Sequence, residues 1–149
     1  MNHRVYQQLN DLADFAFPIA LEVNRSQKHV SLILDKKGNM LSYGQNAVRT
    51  HPKAAKYGYR FDEVHSELDA FLKVPRHLRS GDLTLINYRF NRFGELRKSR
   101  PCHKCLLWCR AIFKNIIYTN DDSFHLIGHN EDHYIKEFQI RSKAEKQLR

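Results

Sequence analysis

Apolar residues recur at helical spacing over residues 6–15, where Tyr6, Leu9, Leu12, Ala13 and Phe15 define an amphipathic helix that Pro18 is expected to end. Residues 29–35 are rich in Val, Leu and Ile, Lys36-Lys37-Gly38-Asn39 is turn chemistry, and residues 40–47 resume a strand-like run. Together they predict a β-hairpin with Asn46 at its outgoing end. After a loop over residues 48–61, Asp62 is the predicted N-cap of a helix reaching Lys73 and closed by Pro75, with His65 and Glu67 in its first turns. Residues 83–90 alternate as a third strand, with Ile86, Tyr88 and Phe90 on one face, and a long basic loop then runs to Arg100. Pro101 suits a helix start. Residues 105–113 are apolar almost all round, which predicts a helix buried on several sides, the central one under the sheet. Residues 116–119 and 124–127 read as two short strands whose link is too short for a parallel crossover, so they should be antiparallel. A polar, mostly basic helix over residues 131–148 is expected to finish the chain.

This order describes an α/β fold: a three-layer α/β/α domain with a mixed five-stranded sheet whose last two strands are antiparallel. No repeat, low-complexity segment or linker interrupts it, so residues 1–149 are read as one domain. A hydrophobic share of 42% supports a core without disulfide help. The first fourteen residues lack the apolar run of a secretory signal and no stretch approaches a membrane span, so the protein is expected to be soluble, intracellular and cytoplasmic, with no membrane partner. Twenty-five Lys and Arg against 16 Asp and Glu give a net charge of +9, which favours phosphate-bearing partners but equally describes a solvated basic surface.

Three cysteines cannot all pair, and Cys102 and Cys105 stand three apart, which in a reducing interior reads as metal binding before disulfide. Both chemistry-bearing segments, His65-Ser66-Glu67 and Pro101-Cys102-His103-Lys104-Cys105, open predicted helices, whose positive N-terminal ends favour thiolates. The two motifs match the H-x-E and P-C-x-x-C signature of zinc-dependent nucleobase deaminases, and in them, their order and their placement the chain resembles the cytidine deaminase superfamily along nearly its whole length.

That resemblance implies one zinc ion held by His65, Cys102 and Cys105, with a fourth tetrahedral position left for water, and Glu67 as the group that moves protons between that water, the base and departing ammonia. It also implies that Asn46 holds the sugar or base, against the plainer reading of a turn residue, and that Ser66 and Pro101 line the substrate. The usual Ala between His and Glu is here Ser66, whose backbone N–H can still face the base. Ser99-Arg100 precedes Pro101 where many relatives carry a small or acidic residue. The alternative is a closed zinc site with Cys109 or His103 as fourth ligand. Cys109 reads better as a packing thiol and His103 as a surface residue. His125, His129 and His133 are spaced by four, but Gly128 interrupts the helix that a second metal cluster would need. Trp108 and Phe113 suit core packing better than base stacking.

The short link between the last strands resembles the cytidine deaminase branch of the superfamily, and differs from the tRNA adenosine, deoxycytidylate and AID/APOBEC branch, where those strands usually run parallel. Cytosine is therefore the expected base, with a nucleoside, a nucleotide or single-stranded DNA or RNA as the partner, and a homo-oligomer is compatible with the likeness. Between Tyr88 and Lys114 eight basic residues face one acid, Glu95. Arg89, Arg92, Arg97, Lys98 and Arg100, interleaved with aromatic rings, are the expected nucleic-acid contacts. The competing reading is a non-catalytic basic zinc module that binds nucleic acid or a partner protein; Glu67 argues against it, because a structural zinc needs no acid beside it.

Overall fold

The computed structural model describes residues 3–23, 27–46, 53–59, 65–127 and 132–135. In chain order the elements are α1 (His3–Leu21), β1 (Lys28–Leu34), β2 (Met40–Gln45), α2 (Ser66–Leu72), β3 (Leu83–Phe90), α3 (His103–Ile112), β4 (Phe113–Thr119), β5 (Phe124–Ile127) and β6 (Asp132–Ile135), with 3₁₀ turns at Ala55–Tyr57 and Arg76–Leu78. The strands form one mixed sheet in the order β2-β1-β3-β4-β5-β6. Among the described strands only β3 and β4 run parallel, joined through α3, and β4 pairs antiparallel with β5.

Alternation along the strands assigns the helices to opposite faces. Val30, Leu32, Leu34, Ile86, Tyr88, Phe90 and Ile117 meet Leu9, Ala13, Ala16 and Ala20 of α1. Ile33, Leu83, Leu85, Ile116 and Tyr118 turn the other way, toward Leu68 and Phe71 of α2 and Cys105 and Cys109 of α3. Gly44 of β2 permits the closest approach: a Cβ there would lie 2.3 Å from the Ala70 nitrogen and 2.6 Å from the Ser66 carbonyl oxygen. Asp69 ties the same edge together, its carboxylate accepting from the Gln45 N–H at 3.0 Å.

Five expectations are corrected. Helix α2 starts at Ser66 with the extended His65 as its N-cap, three residues past the expected Asp62. Helix α1 does not stop before Pro18 but contains it. A proline inside a helix costs about 3 kcal/mol, and the burial of Ala16 and Ala20 on the stripe begun by Leu9 and Ala13 carries the helix through. Helix α3 is not buried on several sides: Cys105 and Cys109 form its buried stripe, Leu106, Trp108 and Ile112 flank it, and Leu107 stays 69% exposed. Apolar composition there exceeds what one sheet face can cover. Phe113 begins β4 rather than ending the helix. Finally, the sheet has six strands, because Asp132–Ile135 pairs antiparallel with β5 where a helix was expected. Its Tyr-Ile dipeptide favours a strand, and the pairing covers what would be the open edge of β5. Asp62 and residues 136–149 lie outside the described residues. Among the described residues no helix is long and apolar enough to cross a membrane.

Candidate metal centre

His65 and Cys102 are the N-cap residues of α2 and α3, each with extended backbone (φ −80°, ψ 152° and φ −65°, ψ 168°) and neither using its side chain to cap its helix. The main chain does that work: the His65 carbonyl accepts from Asp69 N–H at 3.0 Å and the Cys102 carbonyl from Leu106 N–H at 2.9 Å. The side chains are thereby released toward one another, and Cys105, one turn into α3, completes the group.

His65 Nδ1 lies 3.4 Å from Cys105 Sγ and 3.7 Å from Cys102 Sγ, and the two sulfurs are 3.5 Å apart. A tetrahedral zinc with ordinary Zn–S and Zn–N bonds sets sulfur–sulfur edges of about 3.8 Å and nitrogen–sulfur edges of about 3.5 Å. The triangle therefore already has the size of one face of such a site. Burial grades across it, from exposed Cys102 through half-buried His65 to buried Cys105, so one side opens outward.

The donor chemistry fits a cation as well. Trp108 Nε1 donates to the Tyr59 hydroxyl at 2.8 Å, and that oxygen lies 2.7 Å from Cys105 Sγ. The Tyr59 ring also tilts over the His65 imidazole, with centroids 4.5 Å apart. The hydrogen bond shared with Cys105 pulls the Cys102 thiol down to about 3, with His65 adding to the effect, while the same contact and burial push Cys105 up. One sulfur of the pair is thus a ready thiolate. Burial, followed by the neighbouring Cys105, raises Tyr59 and keeps its proton in place.

Glu67 is buried outside the ligand triangle, with its carboxylate within hydrogen-bonding reach of Cys105. Ser66 Oγ lies 2.9 Å from Glu67 Oε1 and 2.7 Å from Ser31 Oγ, and Ser31 Oγ lies 2.6 Å from Asn87 Oδ1. Asn87 Nδ2 reaches the Ser99 carbonyl at 3.3 Å, and Ser99 Oγ donates to the Asn87 carbonyl at 2.7 Å and takes the Thr119 N–H at 2.7 Å. A buried polar chain thus links the carboxylate, across β1 and β3, to the loop that delivers Pro101 and Cys102. It lies toward the carboxyl ends of the parallel pair β3 and β4, where ligands of α/β sheets bind.

The other expected residues separate. Pro101 is buried beside Cys102. The Ser66 hydroxyl turns inward to Glu67 and Ser31. Asn46 Oδ1 accepts from the His29 N–H at 2.9 Å and its Nδ2 donates to the Gln27 carbonyl at 3.0 Å, so its side chain closes the hairpin, with one further bond available at each end of the amide. Cys109 is a core thiol outside the metal group, its pKa raised by burial, and His103 is exposed outside it too. Trp108 and Phe113 pack together with Phe71. His125 stacks on Tyr118 at 5.2 Å; the side chains of His129 and His133 lie outside the described residues.

The basic run splits. Asn91 organises a turn in which Gly94, with φ +79°, stands against Phe17 of α1, on the far side of the sheet from His65. In that turn Arg92 covers the exposed Phe93 ring at 4.8 Å. Arg97 meets Glu95 at 3.4 Å, Lys98 is exposed, and Arg100 sits over Tyr118 at 5.8 Å. Arg89, in β3, is directly opposite His29 in β1. His29, whose pKa is lowered by burial, was not anticipated, and neither were Ser31, Asn87, Tyr59 and Trp108 as site residues. Polar Ser31 and Asn87 inside apolar strands were the available signal.

No protein-family model and no curated protein matches this sequence. Among solved structures, the chain is similar to the dCMP deaminase of the cyanophage S-TIM5 in apo form, at 17% identity and a TM-score of 0.50 over 80% of this chain and 86% of that one. At that identity the likeness concerns the fold. In its fold and in its His, Cys and Cys group, the chain resembles the cytidine deaminase superfamily.

Proposed function

We propose that this chain is a zinc-dependent hydrolytic deaminase that converts a cytosine base to uracil and releases ammonia, with His65, Cys102 and Cys105 as metal ligands and Glu67 as proton carrier. The observation that carries this reading is the convergence of one imidazole nitrogen and two sulfurs within 4.8 Å beside a buried carboxylate that is not one of the three. A closed structural site takes four protein donors; three donors next to an acid suit hydrolysis.

Zinc bound there supplies the Lewis acidity that makes water a nucleophile at neutral pH. The Glu67 carboxylate takes one proton from that water and gives it to the ring nitrogen beside the attacked carbon, then takes the second from the added hydroxyl and gives it to the leaving amine. Water adds at the carbon bearing the amine, the carbon–nitrogen bond breaks, the added oxygen remains as the carbonyl, and ammonia departs. The Ser66 hydroxyl on Oε1 holds the carboxylate in one orientation for both transfers. Asn46, the Ser66 N–H and Pro101 are assigned to the base and sugar. The antiparallel β4–β5 pair supports cytosine over adenine.

Zinc analysis combined with an ammonia-release screen tests the reading, using cytidine, deoxycytidine, their monophosphates, and single-stranded DNA and RNA. We expect one zinc per chain and turnover of at least one substrate, and Glu67→Ala should keep the zinc and lose the turnover. A one-zinc protein inert toward every cytosine and adenine substrate would instead be a basic binding module.

A further inference from the structure

Strands β1 and β3 set four polar side chains in two cross-strand rows, Ser31 opposite Asn87 and, one row nearer the strand ends, His29 opposite Arg89. Because Val30, Leu32, Ile86, Tyr88 and Phe90 enter the α1 core, these four face α2, α3 and the metal group. The inner row is fully engaged, carrying the hydrogen-bonded chain that ends on Glu67. The outer row is different. Arg89 Nη1 makes a long bond of 3.3 Å to the Lys98 carbonyl, and Arg89 Nε is buried with no hydrogen-bond partner.

A charged N–H removed from water without an acceptor costs about 1–3 kcal/mol or more, and a buried polar group left so in a folded protein calls for a ligand that completes it. His29 interacts electrostatically with Glu67, His65 and Cys102 as well as with Arg89, so the outer row adjoins the centre where the base would react. Two residues along a strand separate the rows by about 7 Å. A guanidinium fork is permanently charged and matches phosphate oxygens in pairs. Three others of the basic run are less suited: the Arg92 turn packs on the α1 side, Arg97 is paired with Glu95, and Arg100 is spread over Tyr118.

Resting on the deaminase reading, we propose that Arg89, with His29 beside it, is the subsite for a phosphate carried on the sugar of the target cytidine, so that the substrate is a nucleotide and not a free nucleoside. A free monophosphate and the phosphodiester of a single strand present the same group to Arg89.

Calorimetric titration of the zinc-loaded protein with reaction products, which do not turn over, tests this. The probes are uridine and deoxyuridine, their monophosphates, and a trinucleotide with deoxyuridine at its centre. We expect a monophosphate or the trinucleotide to bind at least about tenfold tighter than the nucleosides, and Arg89→Gln to remove that preference while leaving nucleoside affinity unchanged. Preference shown by the monophosphate alone names a free nucleotide, and preference shared by the trinucleotide names a strand; either supports the assignment. Equal binding of nucleoside and nucleotide overturns it, as does an Arg89→Gln variant that weakens both alike. Arg89→Lys keeps the charge without the fork and should retain a reduced preference, which reads the same subsite should Arg89→Gln fail to fold. Failure of the deaminase reading would appear separately, as absence of ammonia from every cytosine and adenine nucleoside, nucleotide and single strand tested, with the binding preference intact.

Discussion

The Tyr59 hydroxyl lies 2.7 Å from Cys105 Sγ, and the proton between them belongs to the tyrosine. An indole nitrogen can only donate, so Trp108 fills an acceptor site on the Tyr59 oxygen and leaves the single hydroxyl proton for the sulfur. A hydroxyl donated to the sulfur favours its thiolate, the form that binds metal, and so works against the burial and the Cys102 contact that push Cys105 up. Partners of this kind around a metal ligand are typically worth about 10–100-fold in affinity. Tyr59→Phe should therefore weaken zinc binding by at least about tenfold in competition with a chelating dye, while the far-ultraviolet circular dichroism stays that of the parent. Unchanged zinc affinity would assign Tyr59 to packing alone.

The two sulfurs on the buried stripe of α3 should behave oppositely. Cys105 belongs to the metal group and Cys109, one turn on, belongs to the core. Cys102→Ala and His65→Ala should lose zinc and, because metal binding is linked to folding, lose stability with it. Cys109→Ala should keep one zinc per chain and most of any activity, at a cost of about 1–2 kcal/mol. Zinc loss on Cys109→Ala would establish a closed four-ligand site.

What could be read in advance divides along local and non-local lines. The grouping of His65, Cys102 and Cys105 was legible because two short motifs stand near two helix starts, and the structure gives His65 and Cys102 the N-cap positions. Strand β3 was legible to the residue, since alternation is a local property. Ser31 and Asn87 meet only through the register of β1 on β3, which no window of sequence reveals. The division of the basic run likewise depends on where the Asn91 turn packs, and Gly94 against Phe17 settles that. Strand β6 was missed because its polar, charged surroundings resemble an exposed helix, while the pairing edge that captures it lies in β5.

Close approach of β2 to α2 makes Gly44 a second test of the site. Backbone atoms at 2.3 and 2.6 Å from the position of a new Cβ cannot rotate away, so α2 would have to move, and His65 with it. Gly44→Ala should cost about 1–3 kcal/mol through overpacking, and its zinc affinity should fall although no ligand has changed. Thermal unfolding with and without zinc reads both effects. A variant as stable as the parent would mean that the two elements can separate without consequence.

Ser31 occupies the middle of the chain from Glu67 to Ser99, so its removal leaves Ser66 and Asn87 each short of a partner. Such groups cost about 1–3 kcal/mol each when buried unpaired. Ser31→Ala should lower kcat with little change in KM, because the substrate is still held while the Glu67 carboxylate is less well oriented. Ser31→Thr, which keeps the hydroxyl, should recover part of the rate. Loss of stability with kcat intact would reduce the chain to a structural brace.

Replacing Arg92, Arg97 and Lys98 together by Ala asks whether a polynucleotide runs beyond the subsite. In single strands each neutralised phosphate contributes about −0.7 to the slope of log affinity against log salt, so three lost contacts should flatten that slope by about 2. Arg97 already spends part of its charge on Glu95, and Arg92 stands on the α1 side, so a strand must wrap the end of the sheet to meet all three. Should it do so, the triple variant binds single-stranded DNA or RNA more weakly and with a shallower salt dependence, while turnover of a mononucleotide is unchanged, since Arg89 and His29 remain. Unaltered strand affinity and slope would leave these three as solvated charge and confine recognition to the single nucleotide at the metal centre.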